Sequence, residues 1–211
     1  MSERTNRRER PEIEQSMLID SVLATFDVTQ IRHVVVDASP AETYRAVLGI
    51  DFMQMGTAVR ILNELRALPE RLSARLRGER WHGTPASVSL DDLVDSTGYV
   101  VLGDREGDEF VFGAVGKFWR PTIEWVDIEP GEFVSFDRPG YAKLAIGFSV
   151  RPYGTDRTLL SYEARTATTD PEARRRFRLY WSVIGPFAGV LMQQALAHIK
   201  AEAEQYRIPV R

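Results

Sequence analysis

The sequence predicts an α+β domain in which one long C-terminal helix covers a curved antiparallel sheet. Three observations predict it. Apolar residues recur with period two from Ser96 to Thr168, in runs separated by short turns. A helical period then takes over, with Phe177, Trp181, Ile184, Ala188, Leu191, Ala195 and Ile199 along one stripe. Finally, the strands are gathered together rather than alternating with helices, which argues against a parallel sheet.

Taken in order, "QIRHVVVDASP" is a β-rich run centred on Val34, Val35 and Val36 and ended by Ser39-Pro40. "SPAETYRAVLGI" follows as a short helix, with Ser39 as N-cap, Pro40 in the first turn and Glu42 completing a capping box. Val59, Leu62, Leu65 and Leu68 continue at helical spacing, and Pro69 breaks or restarts that helix before Leu72 and Leu76. Glu79 to Asp95 shows no period and reads as a loop. "GYVVLGDREGDEFVFGAVGKFW" is a hairpin around Asp104 to Asp108, and "TIEWVDI" and "EFVSFD" are shorter strands separated by Glu129-Pro130-Gly131. In the next hairpin Leu144, Ile146, Phe148 and Val150 alternate with Lys143, Ala145, Gly147 and Ser149, and "YGTD" turns the chain. Thr169 with Glu172, or Asp170 with Pro171, caps the long helix, which runs to Gln205.

The composition is that of a soluble globular protein, 211 residues with 44% hydrophobic and 27% charged side chains. This suits one domain (residues 16–207) behind a charged, disordered tail (residues 1–15). A net charge of −3 argues against nucleic acid as a partner. There is no cysteine, which excludes disulfides and thiolate metal sites, and the three histidines form no ligand pattern, so no metal or cofactor is expected. His33 and Asp37, four apart on a strand, fit an exposed face. Leu179 to Ala197 carries no charge, but Ser182, Gly185, Pro186, Gly189, Gln193 and Gln194 interrupt it. With no cationic cluster setting an orientation, a membrane span is not expected. The N-terminus has no apolar secretory core, and a cytoplasmic location is expected.

Two segments, "VVVDASPAETYRAVL" and "GTDRTLLSYEARTAT", resemble the START / Bet v 1-like superfamily, which includes polyketide cyclase-like proteins. "SYEARTATTDPEARRRFRLYWSVIGPF" is similar to a little-characterised bacterial branch of it. The resemblance covers about residues 28 to 205 in order of elements. It implies a helix-grip fold: a curved antiparallel sheet around the C-terminal helix, with two short helices after the first strand. Ile50 to Asp95 is longer than the minimal helix pair of such proteins. The resemblance further implies a cavity between sheet and helix for lipids, polyketides or other apolar molecules, used by carriers, sensors and some enzymes. Fold alone does not choose among these.

Candidate ligand-binding residues follow from that geometry. Phe110, Phe112 and Phe118 share one strand parity, Leu144, Ile146 and Phe148 share another, and Tyr180, Trp181 and Ile184 lie on the helix. Plain core packing accounts for these groups about as well as a cavity does. Gly185-Pro186 costs the helix a hydrogen bond to Ser182, and the resulting bend either leaves space or follows the sheet's curvature. Trp119 and Arg120 lie near a strand end, where Arg120 could hold a carboxylate, although a solvated arginine explains it as simply.

Glu163 and Arg165 share one face of the last strand, and Tyr162 the other. If Leu160, Tyr162 and Ala164 face the helix, Glu163 and Arg165 form a weak pair on the solvated convex side. In the opposite register the pair points into the cavity, at a desolvation cost of several kcal/mol. The apolar residues favour the first register. The sequence therefore points to a binding protein for an apolar small molecule, with Tyr162, Arg120 or Glu163 orienting it. A cyclase, aromatase or hydrolase using the same cavity, with no catalytic residue named, is the alternative. A filled core acting through a partner surface, with a homodimer as one form of it, is the third reading.

Overall fold

β1 (Val28–Val36), β2 (Tyr99–Arg105), β3 (Glu109–Lys117), β4 (Glu124–Val126), β5 (Ala142–Pro152) and β6 (Thr158–Thr168) form one antiparallel sheet. Its order is β1-β6-β5-β3-β2, with β4 continuing along β3 beyond the end of β2. The computed structural model describes residues 16–50, 98–120 and 122–205. The tail at 1–15, the amphipathic pattern from Val59 to Leu76 and the loop from Glu79 to Asp95 lie outside the described residues.

The β5–β6 hairpin has the predicted phase. Leu144, Ile146 and Phe148 stand opposite Thr166, Ala164 and Tyr162. On the other side of β5 the same residues meet Ala114, Phe112 and Phe110 of β3. Side chains directly opposite one another share a face, so these residues form one continuous concave surface. Gly154, at φ +72°, supplies the positive backbone angle of the predicted turn.

α2 (Pro40–Leu48) begins with the predicted capping box: Ser39 Oγ accepts from the Glu42 N–H, and the Glu42 carboxylate accepts from the Ser39 N–H at 2.9 Å. α3 (Pro171–Gln205) is the long helix, with Pro186 inside it. It rests on β1, β6 and α2. Phe177, Ile184, Met192, Leu196 and Ile199 supply its buried stripe. Its N-cap is Asp170, whose Oδ1 accepts from the N–H groups of Glu172 (2.8 Å) and Ala173 (3.0 Å). Thr169 instead joins the Tyr141 backbone, so of the two predicted caps the carboxylate is used.

Two expectations are corrected. "EFVSFD" is not a strand: Pro130–Glu132 is a 3₁₀ turn, and Phe133 behind it is fully buried against the convex side of the sheet. The convex side is also not left to solvent. A helix absent from the sequence reading, α1 (Leu18–Val22), lies across it and buries Ile19 and Leu23 with Val111, Val115, Ala145, Ile128 and Phe133. β3 is consequently buried on both faces from Glu109 to Gly116.

Candidate functional site

The concave face carries a continuous path of aromatic rings. Phe110 meets Phe112 at 5.9 Å between centroids, Phe112 meets Tyr99 at 5.7 Å, and Tyr99 meets Trp125 at 5.4 Å. Phe118 then meets Trp125 edge-on at 5.8 Å. The path exists because alternate residues of β3 share this face and Trp125 stands opposite Gly116, on the same phase. Phe148 and Tyr162, 4.5 Å apart, extend it across β5 and β6. A second cluster joins Phe118 to Phe177 of α3, with Trp119, Leu144, Tyr180 and Trp181 around it. Phe110, Phe112, Phe118, Leu144, Ile146, Phe148, Tyr162, Trp181 and Ile184 thus stand on the concave face or on the helix that packs there.

The Gly185-Pro186 stretch of α3, which continues as one helix, lies over polar side chains of β1. Pro186 has no N–H to give Ser182. One turn along, the Gly185 carbonyl accepts a hydrogen bond from Gln30 Nε2 of β1 at 3.1 Å. Arg32, two residues further along β1 and so on the same face, reaches the same notch. A Cβ on Gly189 would stand 2.6 Å from Arg32 Nη2 and 2.9 Å from Gln30 Nε2. Glycine at 189 is what lets both side chains approach the helix backbone.

Gln30 Oε1 is buried without a hydrogen-bond partner. Arg32 makes one bond, from Nη1 to its neighbour's carbonyl, Ile31 O, and no ion pair among the described residues. Tyr162 stands directly opposite Arg32. Burial pushes its phenol well above the ordinary tyrosine range, with the Tyr99 phenol adding to the effect.

Gln30 and Arg32 were not among the residues the sequence nominated. Their signal was parity: both share the phase of Val34 and Val36, which face the helix. Trp125 was missed because "TIEWVDI" is a short, isolated strand.

The remaining nominated residues lie elsewhere. Arg120 is exposed and paired with Glu124 at 2.8 Å, which makes it a surface ion pair. Lys117 and Tyr141 also bond Glu124 and, in that order, hold its carboxyl below the ordinary carboxylate range. Trp119 Nε1 is buried without a partner at that end of the molecule.

Glu163 and Arg165 lie on the convex face, as the favoured register requires, so they are not part of the concave surface. They are, however, not solvated, because α1 covers them. Arg165 Nε donates to Glu163 Oε1 at 2.6 Å, and Nη1 reaches Asp20 Oδ1 at 2.7 Å and the Leu23 carbonyl at 3.1 Å. Burial works against the guanidinium charge, yet Glu163 and Asp20 together raise its pKa.

Beside this pair, a half-open cavity of about 280 Å³ is lined by Ile19, Ile31, Val111, His33 and the Glu109 and Glu163 carboxylates. Its acids are already engaged. Glu109 accepts from the Leu18 N–H at 2.6 Å and from Arg151, with Arg105 3.4 Å away. His33 is bonded to Ser161 through Nδ1. Among the described residues no three His, Asp or Glu side chains are grouped to hold a metal ion.

No protein-family model and no curated protein matches the chain. Solved structures align along most of it. A Thermobifida fusca protein shares 14% identity over 83% of this chain and 95% of its own, with a TM-score of 0.38. The Zhui aromatase/cyclase of a Streptomyces shares 12% identity over 86% and 96%, TM-score 0.31. Human STARD10 shares 10% over 84% and 64%, TM-score 0.27. At such identities and scores these likenesses carry nothing about function. The fold assignment stands on the strand order and on the helix in the concave face, which are those of the helix-grip fold.

α3 is by length and composition apolar enough to cross a membrane, and part of that stretch is buried in the protein. Its outer side exposes Leu179, Val183, Phe187 and Val190.

Proposed function

We propose that this protein binds an apolar small molecule between the concave face of its sheet and α3. The observation that carries this reading is the aromatic path from Phe110 to Trp125. It runs along β3, β2 and β4, while α3 rests mainly on β1, β6 and α2 and meets the path through Phe177 beside Phe118. A surface of aromatic rings gives a ligand contact area at about 25 cal/mol per Å² of apolar area removed from water. On this reading α3 is the core helix of a soluble, cytoplasmic protein, because its buried stripe meets the sheet and α2 rather than lipid.

Native mass spectrometry of protein from its own host tests the proposal. One equivalent of a bound apolar mass, lost on denaturation, is the expected result. After solvent extraction, the emptied protein should take up the hydrophobic dye Nile red with one-site stoichiometry. No bound mass and no dye uptake would overturn the reading.

A further inference from the structure

We infer that the notch beneath Gly185–Gly189 reads the head of the ligand, and that this head is a carboxylate beside a hydroxyl or N–H donor. The inference rests on the binding reading above and names the class of molecule: an apolar acid rather than a neutral lipid.

The argument is one of missing counter-charge. Arg32 stands on the concave face, opposite Tyr162 of β6 and within contact of the α3 backbone at Gly189. Among the described residues no ion pair is made to it. α3 contains no Asp or Glu between Glu172 and Glu202. The concave positions of β6 are Leu160, Tyr162, Ala164 and Thr166, and those of β5 are Leu144, Ile146, Phe148 and Val150.

Elsewhere in the molecule the arginines that reach buried acids are paired: Arg165 with Glu163 and Asp20, Arg151 with Glu109. A guanidinium lacking such a partner presents a fork of N–H donors that matches a carboxylate bidentately.

The second observation is independent of charge. Gln30 Oε1 is a buried acceptor with nothing donating to it, while its Nε2 is held by the Gly185 carbonyl and cannot rotate away without losing that bond. A buried acceptor left unmet is costly, and a ligand hydroxyl or N–H would satisfy it. A water could do the same for Gln30 but would bring no charge to Arg32. Donor fork and orphan acceptor lie side by side because Gln30 bonds the Gly185 carbonyl and Gly189, one turn on, carries no Cβ to keep either side chain off the helix.

Isothermal titration of the emptied protein with two matched pairs tests this: dodecanoate against dodecanol, and 2-naphthoate against 2-naphthol. The acid of at least one pair should bind about tenfold or more tighter than its alcohol, the scale of a charge-assisted hydrogen bond. Arg32→Met keeps the aliphatic stem and should bring acid and alcohol level by weakening the acid alone. Arg32→Lys should retain part of the preference. Thermal melts of both variants confirm folding.

Equal affinities for acid and alcohol in the unmodified protein would overturn the carboxylate assignment while leaving apolar binding intact. So would an Arg32→Met variant that weakens both equally, since the stem alone would then be at work. If neither pair binds and Nile red does not either, the binding reading fails and this one with it.

Discussion

The two faces of one sheet treat polar side chains in opposite ways. On the convex face, Glu109, Glu163 and Arg165 are each less than a tenth exposed, and each is met by protein partners. On the concave face, Gln30 lies against the helix with an acceptor unmet, and Arg32 beside it makes no ion pair among the described residues. The convex groups fasten α1: its first N–H is held by Glu109, and its Asp20 side chain and the Leu23 carbonyl behind it are held by Arg165. Buried polar groups whose partners are all internal do structural work, whereas the buried Gln30 acceptor, with the half-buried Arg32 beside it, still has bonding capacity to offer. The convex cavity therefore reads as the underside of a strap, and the concave side, with the β1–α3 seam at one edge of it, is the side we propose for a ligand.

The largest effect that sharpens this contrast is expected at Arg165. Arg165→Met should lower the free energy of unfolding by about 3–5 kcal/mol, because Glu163 would stay buried without its cation. Adding Glu163→Leu should recover much of that loss, since a buried pair is often replaceable by apolar side chains of similar size. Denaturant unfolding of both variants measures it. A loss below about 1 kcal/mol for the single variant would make the convex pair an ordinary surface pair and dissolve the contrast.

A smaller effect is expected on the other face. Gln30→Leu removes the bond to the Gly185 carbonyl and the unmet Oε1 together, so stability should stay within about 1 kcal/mol of the unmodified protein. A destabilisation comparable to that of Arg165→Met would assign Gln30 to the same structural category as the convex groups.

The smallest effect concerns the start of α3, which belongs to neither face. The backbone N–H groups of Ala173 and Gly140, in that order, hold the Asp170 carboxyl below its ordinary range. A carboxylate with a depressed folded-state pKa stabilises the fold above its unfolded value and loses that contribution as pH falls through the folded value. Hydrogen exchange in the first turn of α3 should accordingly rise below about pH 4. Asp170→Asn should keep a cap and remove that pH dependence; an unchanged acid response would exclude Asp170 as its source.

Much of the concave surface was legible in the sequence. Alternation in "AKLAIGFSV" and "TLLSYEAR" assigned Leu144, Ile146, Phe148 and Tyr162 to one face and Glu163 and Arg165 to the other, because the period of a strand is two. The capping box at Ser39 and Glu42 was legible for a similar reason, since both partners lie within one turn. Solvation of the convex face could not be read in that way. Phase says which residues share a face, whereas burial depends on which distant segment lies across it, here residues 17–23.

By itself, then, the sequence determined the fold class, the phase of each long strand, and a long C-terminal helix carrying Pro186 within it, all of which are encoded within a few neighbouring residues. Tertiary structure alone decided that α1 seals the convex side and that Asp170 rather than Thr169 caps α3. It also set Gln30 and Arg32 against α3 at Gly185 and Gly189, more than 150 residues away along the chain. Contacts across that separation are chosen by packing and hydrogen-bond satisfaction over the whole domain, and no local period records them.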